Sequence, residues 1–193
     1  MKKIYRALAL TGLLNFITPQ QTNASLNLVD MLNDCELSGY VGIEKIFWNG
    51  RHYFLEADDL HADRKESAPE YYESALNCFE TVLKDTKDDN LRRNSLYYSA
   101  MALWYGVKNK NPDESMKRFI AVVDYGIDDD KDEMAIAALG KMNFEYAGKR
   151  ANFSLENASL WFKKLMARYP QSPYYRYASD GLNYIKKKLP KKQ

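Results

Sequence analysis

The sequence predicts an all-α protein, a right-handed solenoid of helical hairpins with about three repeated units and a C-terminal capping helix. Apolar residues recur at helical spacing along most of the chain, and no segment alternates at period two for long enough to form a strand. Short polar clusters such as KESAPE, KDTKDDN and KNKNPDE interrupt this pattern as turns do. Small and aromatic residues also recur about every 40 residues, which is typical of a repeat architecture.

Residues 1–24 have the three-part layout of a secretory signal peptide. Three basic residues precede an apolar run of 11 residues from Ala7 to Ile17, Pro19 follows the run, and Ala24 is the expected last residue before the cut. Such a run is too short to cross a bilayer, which takes about 20 apolar residues. We therefore expect a periplasmic or secreted protein that has no integral membrane segment after cleavage.

The charge distribution is uneven along the chain. The formal net charge is +2, and residues 1–24 hold three basic and no acidic residues, so the chain without them has a net charge of −1. Five lysines within residues 186–192 leave −6 for the body between the two ends. An acidic body lacks the basic stripe of a nucleic-acid-binding protein, so we expect no nucleic-acid partner. The lysine-rich end is either solvated or makes a peripheral contact with an anionic membrane surface.

The remaining chain divides into a polar lead segment (25–37), a helical repeat domain (38–188) and a basic tail (189–193). The turn clusters separate seven predicted helices, near residues 38–62, 68–86, 89–107, 112–125, 131–148, 153–169 and 172–188. Capping residues support four of the starts: Ser67 or Pro69, Pro112 with Asp113, Ser154 with Glu156, and Ser172 with Pro173. We interpret the acidic run 128–130 as a helix-capping loop rather than a site.

Two series of residues carry the repeat. Small residues recur on the odd-numbered helices, 43, 40 and 38 residues apart, at Ala57, Ala100, Gly140 and Ala178. On the even-numbered helices a small residue is followed by Phe and then by an aliphatic residue, in the copies Ala75-Phe79-Val82, Ser115-Phe119-Val122 and Ala158-Phe162-Leu165. Units of this size that cannot bury their own apolar face stack into helical solenoids.

This pattern resembles the tetratricopeptide repeat family. The residues at the spacing of the family's second-helix signature are Ala158, Phe162, Leu165 and Pro170, and Leu139-Gly140 resembles its first-helix Leu-Gly pair. AALG (137–140) followed by ASLWFKKL (158–165) is also similar to the longer Sel-like variant, although its Gly-rich loop is absent from the sequence. The segment ASLWFKKLMARYPQSPYYRYASDGLNYI resembles tetratricopeptide modules of periplasmic proteins in envelope biogenesis. The family-level resemblance covers residues 38–188 and is specific over the last forty.

No residue cluster in the sequence provides a catalytic or cofactor-binding set. The two histidines, His52 and His61, both lie in the first predicted helix, and no phosphate loop, nucleophile elbow or paired-cysteine motif occurs. Asp58 shares a helix face with His61, but the neighbouring acids point elsewhere, so we predict no metal site. We expect no cofactor and no enzyme; the enzymatic alternative uses carboxylates on cell-wall or secreted substrates.

The two cysteines, Cys35 and Cys78, lie 43 residues apart. Disulfides persist in exported proteins, and a bridge closing a loop of this length stabilises a fold by about 4 kcal/mol on the chain-entropy model. The alternative is two unpaired, partly buried thiols. The spacing alone does not decide between them.

The predicted binding surface lies on the odd-numbered helices. If the small residues mark the packed side of each helix, aromatic and polar side chains line an inner, concave groove: Arg51, Phe54, Asn94, Tyr97, Met101, Trp104, Lys141, Phe144 and Tyr175, with Asp58 and His61 beside them. Such a mixture suits capture of a peptide or a partner helix. We expect a protein-binding adaptor, in cell-envelope biogenesis or, alternatively, as a secreted host-interaction protein of a host-associated bacterium.

Overall fold

The computed structural model describes residues 42–63, 65–107 and 110–189, and in these ranges the chain is all-helical, as predicted, with no strand. The seven α-helices are α1 (Ile43–Ala62), α2 (Ala68–Asp85), α3 (Asp89–Met101), α4 (Pro112–Asp124), α5 (Asp130–Tyr146), α6 (Leu155–Arg168) and α7 (Tyr175–Lys188). A π-helical segment, Ala102–Gly106, continues α3. The predicted signal peptide, the lead segment with Cys35 and the tail beyond residue 189 lie outside the described residues.

The helices pack in chain order. Each helix contacts the next one from α1 to α7, and further contacts join α1 to α3 and α5 to α7. Contacts between helices that are consecutive, or nearly so, in the sequence therefore hold the described part of the chain together.

The core consists of two clusters of buried residues. The first lies between α1, α2 and the π-helical segment, and its largest fully buried side chains are Tyr72 and Phe79. The second extends from α3 to α7 around Phe119 and Phe162. The half-buried side chains of Tyr98 and Met101 pack against both clusters. The two clusters are therefore in contact through α3.

The repeated small and aromatic residues lie where helices cross. All nine residues of the three small-Phe-aliphatic copies are 0% exposed, as are Ala57, Ala100 and Ala178. A methyl group added at Gly140 would lie 2.5 Å from the ring of Phe162, and one at Gly181 would lie 2.6 Å from it. Gly140 of α5 and Gly181 of α7 therefore both lie against the ring of Phe162 on α6.

Side-chain caps explain the starts of α6 and α4, whereas α7 begins without one. Ser154 accepts a hydrogen bond from the backbone N–H three residues on, at 3.1 Å, as predicted for α6. For α4 the cap is Asn111 rather than Pro112, and its side chain accepts a 3.1 Å hydrogen bond from the N–H three residues on. The predicted start of α7 at residue 172 was wrong: Ser172 accepts from the Tyr174 N–H at 3.0 Å within a turn, and the helix begins after it.

A buried ion pair connects α3 to the start of α5. Arg93, whose side chain is 5% exposed, donates two hydrogen bonds to the Asp129 carboxylate, at 2.7 and 2.6 Å. The same carboxylate caps α5 by accepting from the Asp132 N–H at 2.9 Å. Hydrogen bonding to Arg93 lowers the pKa of Asp129 from 3.8 to about 2. The acidic run thus caps a helix, as the sequence analysis proposed, and also binds an arginine 36 residues earlier.

A second polar group joins α5 to the end of α6. The guanidinium of Arg168 pairs with Asp128 and, at 3.0 Å, with Asp132. The Tyr169 hydroxyl donates to Asp132 at 2.7 Å. Burial, with the hydrogen bond to Asp132, raises the pKa of Tyr169. These contacts fix the α6–α7 turn against the first turn of α5.

Candidate partner-binding face

Side-chain contacts link the odd-numbered helices in order. Arg51 Nε donates to Tyr98 Oη at 3.3 Å, which joins α1 to α3. The Lys141 ammonium lies 5.0 Å from the ring centroid of Trp104, which joins the π-helical segment to α5. Cations over aromatic faces are attracted by the ring quadrupole. Each of the two contacts pairs a cationic side chain with an aromatic residue from another part of the chain.

A third side-chain contact involves the last helix, α7. The rings of Phe144 and Tyr184 meet edge to face with their centroids 5.4 Å apart, which joins α5 to α7. We refer to the side chains that make these contacts as the odd-helix face: Arg51, Tyr98, Trp104, Lys141, Phe144 and Tyr184. Trp104 is 9% exposed and Tyr184 is 48% exposed, whereas the other four are half-buried.

The π-helical segment positions Trp104. The Val107 N–H donates to the carbonyl of Ala102 at 2.9 Å, closing a wider turn than an α-helix makes. A methyl group at Gly106 would lie 2.4 Å from the ring of Tyr72, so the segment approaches α2 more closely than any other residue permits. Sequence reasoning placed an ordinary helix here. The only sign in the sequence that this segment packs tightly against α2 is Gly106 itself.

Three predicted groove residues belong to the core, and one of them is Trp104 of the second cluster. Phe54 is 3% exposed, and its ring contacts Tyr72 and Tyr98. Tyr97 is 5% exposed, and its hydroxyl donates to the sulfur of Met134 at 3.2 Å. The helical period placed Phe54 and Tyr97 in the concave groove, but neighbouring helices cover both side chains.

Three other predicted groove residues, Asn94, Met101 and Tyr175, are not part of the odd-helix face. Asn94 and Met101 are half-buried on α3, and Met101 packs against both core clusters. Tyr175 is 38% exposed at the first residue of α7. Sequence reasoning missed Tyr184 at the other end of α7, although its helical spacing from Tyr177 was visible. The contact with α5 is made by this later tyrosine.

Asp58 and His61 of α1, which the sequence placed beside the predicted groove, both contact Tyr72 of α2. Asp58 accepts a hydrogen bond from the hydroxyl of the buried Tyr72. Burial raises the pKa of Asp58, and burial beside this carboxylate raises the pKa of Tyr72. The His61 ring lies edge-on to Tyr72 at 6.3 Å. In the described part of the chain, no group of His, Cys, Asp and Glu side chains is arranged to hold a metal ion.

Cys78 is fully buried on α2, where a methyl group added at Gly50 of α1 would lie 2.8 Å from its Cβ. Its proposed partner, Cys35, lies outside the described residues. The pairing of the two cysteines stays a prediction.

Two shallow cavities lie at the α5–α6 connection rather than on the odd-helix face. A cavity of about 410 Å³ is lined by residues 148–151 and Phe153, and one of about 300 Å³ is lined by residues 147–148, 153–156 and Leu189. Beside them, Asp113 accepts hydrogen bonds from Arg150 and Asn152, both at 2.8 Å. Those bonds lower the pKa of Asp113. They fix the connection against α4.

No protein-family model, curated protein or solved structure matches the chain. Among the helices of the described ranges, none is both long and apolar enough to cross a membrane. Function is therefore inferred from the residues themselves.

Proposed function

We propose that the chain is an exported, non-catalytic scaffold, built as a tetratricopeptide-like solenoid, that binds a segment of another protein on the odd-helix face. The observation that carries the proposal is a set of three contacts between these helices: Arg51 with Tyr98, Trp104 with Lys141, and Phe144 with Tyr184. Helices that pack in chain order, with the repeated small and Phe residues buried between them, support the solenoid.

The composition of this face suits protein recognition. Aromatic and arginine side chains supply most of the binding energy in protein interfaces. Here Trp104 and Phe144 are each held by neighbouring rings, at 6.3 Å from Phe119 and 6.2 Å from Phe162. Side chains that are already ordered lose little conformational entropy when a partner binds. A row of such groups across several helices matches an extended segment or the apolar side of a helix.

The place of action is the cell envelope. The signal-peptide layout of residues 1–24 supports export, and the similarity of the α6–α7 segment to periplasmic tetratricopeptide modules supports a role in envelope biogenesis.

Site-specific photo-crosslinking in growing cells tests the proposal. A photoreactive phenylalanine analogue replaces Arg51 on α1 or Phe144 on α5, and matched control chains carry it at the exposed positions Lys117 on α4 or Lys163 on α6. We expect a discrete protein adduct from the α1 and α5 positions and none from the controls. Identical adducts from both sets, or no adduct from either, would contradict binding on the odd-helix face. Adducts to host proteins in place of envelope proteins would favour the secreted alternative.

A further inference from the structure

The C-terminal end of α7 concentrates positive charge. Lys186, Lys187 and Lys188 form the last turn of the helix and are all exposed. After Asp180 the sequence has no acidic residue and adds two more lysines, within a chain whose body between the two basic ends has a charge of −6. Among the ion pairs of the described residues, none involves these three lysines. Positive charge is therefore concentrated at this end of the sequence, whereas the body before it has a net negative charge.

This helix end is held firmly by the core. Ile185 is 2% exposed within the second core cluster, and the Leu189 N–H donates to the Ile185 carbonyl at 2.9 Å. Three successive helical positions point about 100° apart, so the lysines cover an arc of about 200° around the helix. Groups that diverge in this way do not converge on one small ligand. They match a broad anionic surface that can be approached from several directions.

Stabilisation of the helix alone does not explain the arrangement. A cation in the last turn interacts favourably with the helix dipole. One lysine makes that interaction, whereas this chain has five within seven residues, 186–192. An exposed aromatic ring also lies beside them: Tyr184 is 48% exposed, with the Lys188 ammonium 5.7 Å from its ring centroid. Tyrosine beside lysine is typical of side chains at a membrane–water interface.

We propose that the C-terminal end of α7 docks the protein onto an anionic lipid surface. The lysines contact the lipid headgroups, Tyr184 lies at the interface, and the acidic body is repelled from the surface, which orients the molecule. Each lysine near such a surface strengthens adsorption about fivefold, so three of them contribute about a hundredfold. This contact is reversible and depends on salt. This contact shares Tyr184 with the odd-helix face, whereas Lys186, Lys187 and Lys188 lie outside that face.

Vesicle co-sedimentation with the chain from Ser25 to Gln193 tests the proposal. The probes are vesicles of phosphatidylcholine alone and vesicles with about 30% phosphatidylglycerol, in about 0.1 M and about 0.5 M salt. We expect binding to the anionic vesicles only, and weaker binding at the higher salt concentration. The triple variant K186Q/K187Q/K188Q should bind about a hundredfold more weakly, whereas the triple arginine variant at the same positions should bind normally.

The matched control removes the same charge elsewhere. Lys84, Lys87 and Lys163 are exposed and have no ion pair among the described residues, so K84Q/K87Q/K163Q should bind as the parent does. Equal weakening by the control would show that net charge alone matters and would overturn the proposal. So would equal binding to neutral vesicles, or tighter binding to heparin than to the anionic vesicles. Circular dichroism checks that every variant keeps the parent's melting temperature.

Discussion

The pair between Arg93 and Asp129 gives a prediction that can be worked out in numbers. In the variant Asp129→Asn the side chain keeps its ability to cap α5, because Asn is as good a cap as Asp. The charge that neutralises Arg93 is lost, and that side chain is only 5% exposed. The substitution therefore isolates the ion pair from the helix cap.

Two estimates bound the cost. The pKa of Asp129 falls from 3.8 to about 2, and at about 1.4 kcal/mol per pKa unit this difference corresponds to about 2.5 kcal/mol of stability. Removing one partner of a fully buried pair costs about 3–5 kcal/mol. Since the Asp129 side chain is 30% exposed, we expect a loss of about 2–3 kcal/mol, or about 4–12 °C in melting temperature for a chain of this size.

The pH dependence gives an independent check. Because the pKa of Asp129 is lower in the folded state, its contribution is complete above the unfolded pKa of about 4 and is lost as the pH falls towards about 2. The Asp129→Asn variant should therefore lose less stability than the parent between those pH values. Urea unfolding followed by circular dichroism, repeated at several pH values, measures both effects.

The neighbouring Asp130 supplies the control. Its side chain belongs to the same acidic run but has no ion pair among the described residues, so Asp130→Asn should change stability by less than about 0.5 kcal/mol. In the double variant Arg93→Met/Asp129→Asn the buried charge is absent, and we expect at least half of the loss to be recovered. Equal losses in the two single Asn variants would refute this account of the pair.

Three further predictions follow from the packing and the face. Gly140→Ala places a methyl group 2.5 Å from an aromatic ring on α6, and urea unfolding should show a loss of about 1–2 kcal/mol despite the better helix propensity of Ala. Lys141→Gln should reduce the crosslinked partner several-fold without changing the melting temperature, whereas Lys164→Gln, over a tryptophan on α6, should leave it unchanged. Cys35 and Cys78 should resist thiol alkylation until a reductant is added, and reduction should destabilise the chain by about 4 kcal/mol.

Controls sharpen these tests. Gly42→Ala adds a methyl group that meets nothing within 4 Å, so it should not reproduce the loss seen at Gly140. Equal partner loss in the two lysine variants would mean that overall charge, and not the odd-helix face, governs binding. Rapid alkylation of both cysteines in unreduced protein would establish the alternative of two free thiols.

The helices were predictable because their signals are local. Helical periodicity and polar turn clusters are visible within short windows, and α2, α4, α5 and α6 begin and end within two residues of the predicted bounds. The small-Phe-aliphatic pattern identified buried positions because close helix crossings restrict residue size at those positions.

Features that depend on distant contacts were not predictable in the same way. The π-helical segment depends on Gly106 meeting the ring of Tyr72, which is 34 residues earlier. In the run DNLRRNS nothing distinguishes the arginine that becomes buried from its neighbour, because its partner Asp129 lies 36 residues later. Helical period alone also could not tell that neighbouring helices cover Phe54 and Tyr97.

The division of the core into two clusters has a consequence for the order in which the protein forms. Every buried member of the first cluster lies between Ile46 and Val107, whereas the second cluster needs residues as late as Ile185. Because a ribosome delivers the chain from its N-terminus, α1, α2 and the π-helical segment can close their shared core while α5 to α7 are still being made. The early half then offers Tyr98 and Met101 as a preformed template on which the later helices are added one at a time.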